Sequence, residues 1–205
     1  MSENQNTVVT ATGSPAGFMC MAFYLAVLCP ILIGIATPDY GILLIPFGFI
    51  GMVVQLIVGT VDLKRGDILS GNITLAFSAF MAFGAILTLL KFTKISPLAD
   101  TSFVEGFVFL VMGVIMVLLT GPALKAFLAL GLFNIVTDAF FFLMAFGGIL
   151  KMPILNQIAG YCLIGSIITL IWTSCGITLN TAVGREAIPL GAPLVKPAPS
   201  KGVIA

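Results

Sequence analysis

Apolar residues along this chain fall into six long blocks, each broken from the next by a few polar or turn-forming residues. The blocks run approximately over residues 15–36, 40–60, 68–90, 103–120, 127–150 and 153–183. About 20 residues rising 1.5 Å each cross the roughly 30 Å hydrocarbon core of a bilayer, so every block predicts a transmembrane helix. The last is long enough to tilt or to project beyond the lipid. Pro38, Pro97, Pro122 and Pro153 punctuate four of the connections. These connections are short, which predicts antiparallel neighbours in an all-α bundle over residues 14–188, with no room for a soluble catalytic domain. Ser14-Pro15 reads as a helix start: a serine oxygen can cap free backbone N–H groups, and proline at the first helical position loses no hydrogen bond. The polar segment 1–13 has no Lys or Arg, so it lacks the basic region of a cleaved signal peptide, and the first block is expected to be retained as a span. The tail 189–205, rich in Pro, Lys and small residues, is expected to be flexible.

Composition strengthens this picture. Of 205 residues 60% are hydrophobic and 8% charged, against about 25% charged in an ordinary soluble domain. Most of the chain must therefore meet lipid. A net charge of +1 without any basic block argues against nucleic acid as a partner. There is no histidine, which removes the commonest metal ligand and the usual proton shuttle near neutral pH, so proton chemistry would fall to a carboxylate. Cys20, Cys29, Cys162 and Cys175 lie inside apolar blocks without metal-ligand spacing and read as small buried hydrophobes. No nucleophile and base pair, nucleotide-binding glycine loop or metal constellation can be assembled, so neither an enzyme nor a cofactor is expected. With the N-terminus inside, Lys64, Arg65, Lys125, Arg185, Lys196 and Lys201 fall on the inner side and Lys91, Lys94 and Lys151 on the outer. That bias favours cytoplasmic termini in a cell (plasma or inner) membrane.

Polar side chains inside spans are the candidates for function, because an unsatisfied polar group in hydrocarbon costs several kcal/mol. Asp138, near the middle of the fifth block, is the one deeply placed charge expected, at an insertion cost of about 2.5–3.5 kcal/mol. It needs a partner or a proton, and Asn134 and Thr137 stand close enough on a helix to form a cluster with it. Two readings stand side by side: a titrating site on a substrate or proton path, or a neutral acid bonded to a neighbouring helix or subunit. In the sixth block Ser166, Thr169, Thr173 and Ser174 form a hydroxyl stripe that could solvate a small solute, although such residues more often join helices or bond back to their own backbone. Gln55, Asn72, Thr74 and Ser78 could line the same path. The 17 phenylalanines, Phe140 to Phe142 among them, are mostly lipid-facing or packing residues, with a minority available for a constriction that gates by dewetting. The 22 glycines suggest close helix packing.

The stretch Gln55-Leu56-Ile57-Val58-Gly59, followed by Asp62-Leu63-Lys64-Arg65-Gly66, resembles the second span and basic loop of the acetate uptake transporter family, the bacterial succinate-acetate permeases. Ala159-Gly160-Tyr161, Trp172, Gly176, Leu179-Asn180 and the closing Gly184-Arg185-Glu186-Ala187-Ile188-Pro189-Leu190-Gly191 resemble that family's final span and its G-R-x-x-x-P-x-G ending. The resemblance covers most of the chain from Pro15 to Gly191. At the first span Pro15 and Gly17 match the family's N-P-A-P-L-G-L pattern, with Phe18 next to them, while its asparagine and first proline are replaced. In the third span Phe80 stands where a tyrosine is usual, and Asp138 has no counterpart. The resemblance implies passage of acetate, similar small monocarboxylates or succinate, with proton coupling, through a pore within each subunit of a cyclic homo-oligomer, a hexamer. The residues by themselves leave two alternatives open: a channel for a small neutral solute such as urea, a short amide or ammonia, and a non-transporting membrane sensor or structural subunit.

Overall fold

All six apolar blocks form helices, and the structure, a computed structural model, describes residues 11–93 and 100–196. The helices are α1 (Ser14–Leu32), α2 (Leu44–Lys64), α3 (Ile68–Thr93), α4 (Ser102–Ala123), α5 (Leu128–Ile149) and α6 (Pro153–Val183). Residues 1–10 of the expected polar segment, Lys94 and Pro97 of the third connection, and the tail beyond residue 196 with Lys201 lie outside the described residues. All six helices are long and apolar enough to cross a membrane, and the chain is a multi-pass membrane protein. Helix α6, with 31 residues, extends about 46 Å and exceeds the hydrocarbon core.

The first two spans differ most from the hydropathy reading. Helix α1 stops at Leu32, four residues early, because Pro30 interrupts it and Gly34 turns the chain with φ +84°, after which the N–H groups of Ile35 and Ala36 both bond back to the Pro30 carbonyl. The second span opens with a short 3-10 turn, Pro38–Leu43, and continues past Thr60 to Lys64. Ser14, expected to cap α1, makes no capping bond; Gly13 holds the cap position and the Ser14 hydroxyl is committed elsewhere.

Helix α1 packs on α2 and α6, α2 on α3, α6 on α5, and α5 on α4. The ring α3-α2-α1-α6-α5-α4 closes between its two ends through long side chains: the rings of Phe80 and Phe109 meet edge-on at 5.2 Å, and Lys91 Nζ donates to Glu105 Oε1 at 2.6 Å. The tightest pairings depend on missing side chains. A Cβ on Gly59 would stand 2.9 Å from the Gly71 carbonyl oxygen of α3, and one on Gly106 would stand 2.8 Å from the Ala145 carbonyl oxygen of α5. Close backbone approach of this kind supplies the dispersion contacts that hold helices together in lipid. Met81, Met116, Phe141, Leu163 and Leu170 fill the interior, while Phe23, Leu118 and Ile168 point outward as a lipid-facing coat.

The start of the tail folds back onto the bundle. Gly184 ends α6 in the left-handed conformation (φ +68°), and the chain then doubles back. The Asn180 side chain accepts from the N–H groups of Ala187 (2.7 Å) and Ile188 (2.8 Å) and donates to the Ile188 carbonyl (2.8 Å). Trp172 Nε1 donates to the Pro189 carbonyl at 2.9 Å. Residues 190–195 then serve two helix ends: the free N–H groups of Leu128 and Ala129 donate to the carbonyls of Gly191 and Leu190, and the Val195 N–H reaches the Leu124 carbonyl. Helix termini have unpaired backbone groups of this kind, and α5 has no side-chain cap, so the strap satisfies what the local sequence leaves open.

Candidate functional site

Two cavities lie end to end inside the ring. One, of about 320 Å³, opens toward the face where both ends of the bundle emerge, and is lined by Thr12, Ser14, Phe18, Gln55, Asp67, Ser70, Thr74, Phe133 and Asn134 among others. The other, of about 200 Å³, opens toward the opposite face and is lined by Tyr24, Phe80, Thr88, Lys91, Glu105, Phe109, Thr137, Phe140, Phe141 and Ser166 among others. Both greatly exceed the roughly 10–15 Å³ that admits one water molecule. Met21 of α1 and Phe77 of α3 line both cavities and form the neck between them. The two side chains are 5% and 6% exposed. An aromatic wedge supports the neck: Phe141 stands 6.2 Å from Phe77, 5.4 Å from Phe80 and 5.2 Å from Phe140, ring centre to ring centre. An apolar neck between two wider cavities that carry a few polar groups is the form of a gate that works by excluding water.

Asp62, near the end of α2, is the most fully buried carboxylate among the described residues and sits at the first cavity's mouth. Its Oδ2 accepts from Ser14 Oγ (2.7 Å) and Ser70 Oγ (2.8 Å), and its Oδ1 from Thr12 Oγ1 (3.1 Å). Arg65 Nη1 lies 3.9 Å away on the solvent side. The cluster ties the segment before α1 to α2 and α3. Sequence reasoning missed it, because Asp62 stands at the end of an apolar block beside two basic residues and looks like loop. Two of its partners are 48 and 50 positions away and the third, Ser70, is on the next helix, so no local signal marks them.

Of the residues singled out from sequence, Phe18, Gln55 and Asn134 line the first cavity, and Phe80 and Ser166 the second. Gln55 donates to the Gly17 carbonyl at 3.2 Å, and Asn134 to the Leu130 carbonyl at 2.9 Å. Ser166 and Thr137 share a hydrogen bond of 3.2 Å across α5 and α6. Five others line neither cavity. Asn72 is exposed and bonds the Ile68 carbonyl; Ser78 joins α3 to the Met52 carbonyl of α2 at 2.8 Å. Thr169 bonds back to the Gly165 carbonyl, and Thr173 is buried with its hydroxyl unpartnered. Asp138 turns away from Asn134 and Thr137 toward α4, where its Oδ2 accepts from Thr120 at 2.8 Å while Oδ1 has no partner. Asp138 stands mid-span in α5 and is half-buried, whereas Asp62, near the end of α2, is fully buried. The closing motif Gly184, Arg185, Pro189 and Gly191 belongs to the strap described above, and Pro15 and Gly17 to the first turn of α1, where Gly17 gives room to the Gln55 amide.

No protein-family model matches the chain, and no curated protein matches its sequence. Among solved structures, one titled the bacterial acetate channel SatP superposes with a TM-score of 0.80 at 23% identity, over 89% of this chain and 99% of that one. At that identity the likeness is one of fold, and the chain is a six-helix membrane bundle built on the same fold as the acetate channel SatP.

Proposed function

We propose that this protein is a membrane channel or transporter, and not an enzyme, that passes acetate and related small carboxylic acids, succinate being the largest, coupled to protons. The observation that carries the reading is the pair of in-line cavities within one chain, joined at the Met21 and Phe77 neck, in a bundle with the fold of a protein titled an acetate channel. The path runs from Phe18, Gln55 and Asn134, through the neck, to Phe80 and Ser166. Asp138 joins α5 to α4, and Thr169 and Ser174 of the α6 hydroxyl stripe bond back to their own helix. The unit is a homo-oligomer in the cell membrane with cytoplasmic termini, supported by Lys64, Arg65, Lys125 and Arg185 at one face against Lys91 and Lys151 at the other. Acetate uptake into proteoliposomes, with and without an inward proton gradient, tests this. Protein-dependent uptake that rises with the gradient is expected, and none in either condition would sink the reading. Competition by urea would favour a neutral-solute channel instead.

A further inference from the structure

The hydrogens around Asp62 can be counted. A serine or threonine hydroxyl has one hydrogen to give, and an ionised carboxylate can only accept. Thr12, Ser14 and Ser70 each place their oxygen within 3.1 Å of an Asp62 oxygen. The same hydroxyls also lie 3.0 Å from one another, Thr12 to Ser14 and Ser14 to Ser70. A charge-assisted hydrogen bond is roughly twice as strong as a neutral one, so the carboxylate takes all three hydrogens. What remains facing the cavity is three oxygens able only to accept. The rest of the lining continues the pattern. Thr74 spends its hydrogen on the Ser70 carbonyl at 2.6 Å, and Asp67 adds a second carboxylate. Arg65, the cation beside Asp62, is not part of the lining. The side-chain donors left free are the second amide hydrogens of Gln55 and Asn134, since each amide has already given one to a backbone carbonyl.

We propose that Asp62 is a specificity-determining positioning residue: by drawing the hydroxyl hydrogens of Thr12, Ser14 and Ser70 it makes this mouth an acceptor surface that admits the undissociated acid and turns away the carboxylate. A carboxylate is itself acceptor-only: the hydroxyl oxygens and Asp67 offer it lone pairs and like charge, and the amide hydrogens of Gln55 and Asn134 are the side-chain donors left to bond it. An undissociated acid brings one donor hydrogen for the hydroxyl oxygens, and its carbonyl suits the free amide hydrogens of Gln55 and Asn134. Proton and acid then cross this mouth as one neutral species, without a titrating relay in the spans. The inference rests on the transport reading above and assigns its chemical form.

A neutral acid crosses independently of membrane potential, whereas a univalent anion is driven tenfold by about 59 mV. The experiment is initial uptake of labelled acetate into proteoliposomes under potassium and valinomycin potentials of either sign, corrected for protein-free vesicles. Wild-type uptake should agree within twofold at all potentials. Asp62→Asn, whose amide supplies hydrogens and releases those of the hydroxyls, should gain a component that rises at least threefold under an inside-positive potential. Asp62→Glu should behave as wild type. Ser14→Asn, which adds a donor at the mouth with Asp62 intact, should gain the same component and decides the matter if Asp62→Asn is not recovered folded. Wild-type uptake that already follows potential, or folded variants that remain insensitive to it, would overturn the inference while leaving transport intact. Absence of any protein-dependent uptake would remove the transport reading and this inference with it.

Discussion

The neck offers the sharpest test of the path. Phe77→Ala removes the ring that lines both cavities and leaves its neighbours in place, because Phe141 is held against Phe80, Phe109 and Phe140 and cannot swing over to fill the gap. In a sealed core a Phe→Ala change costs about 3–5 kcal/mol, part of it for the empty cavity. Here the vacated space joins two existing cavities and can take up water, so the cost should sit near the low end, about 3 kcal/mol. The same opening lowers the barrier to transport. A polar solute crossing a dry neck gives up hydrogen bonds worth roughly 1–3 kcal/mol, and each 1.36 kcal/mol recovered is about tenfold in rate. Uptake of acetate per inserted protein should therefore rise roughly tenfold to a hundredfold, with larger acids gaining more than acetate. The assay is initial uptake into proteoliposomes at matched protein density, with Val111→Ala on the lipid-facing side of α4, 60% exposed, as a control expected to match wild type. Equal or lower uptake from a variant that inserts and melts cooperatively would refute the placement of the neck at Phe77.

Asp138→Asn should leave the pH profile of uptake unchanged, since its carboxyl bonds Thr120 and lines neither cavity; a shifted profile in normally inserted protein would return Asp138 to the path. Asn180→Ala removes three hydrogen bonds that hold the strap, each worth about 0.5–1.5 kcal/mol where water cannot fully replace it, and tryptic cleavage after Arg185 should accelerate roughly tenfold or more; an unchanged rate would mean the strap is held by its backbone bonds and Trp172 alone. On the opposite face, hydrogen bonds from Ser102 and the neighbouring Lys151, 3.0 Å away, hold the Asp100 carboxyl well below the usual range, at about 2. A depressed folded-state value contributes stability that is complete above the unfolded value near 4 and is lost as pH falls through 2. The melting-temperature difference between wild type and Asp100→Asn should accordingly be small and constant above about pH 5 and vanish near pH 2, and a difference that grew on acidification would contradict this.

Hydropathy determined the span count and most boundaries because it records whether a segment prefers lipid to water, a property each block carries by itself. The block from Pro153 to Val183 is an example: its proline, its long charge-free run and Gly184 mark both ends in the sequence, and α6 has those bounds. The same property is silent about rotation. Lipid and protein interior are both apolar, so a span has no polar face to identify its inward side, and Asp138, Asn134 and Thr137 look equivalent along the fifth block. Packing separated them: Asn134 faces one cavity, Thr137 the other, and Asp138 faces Thr120 of α4. Asp62 shows the converse. Next to Lys64 and Arg65 it reads as loop, and only the convergence of Thr12, Ser14 and Ser70, from either side of it in sequence, makes it the most buried charge of the described residues. The sequence alone therefore decided that this chain has six spans, while the tertiary structure decided which polar groups line the cavities, because hydrogen bonds depend on which helix faces turn toward each other.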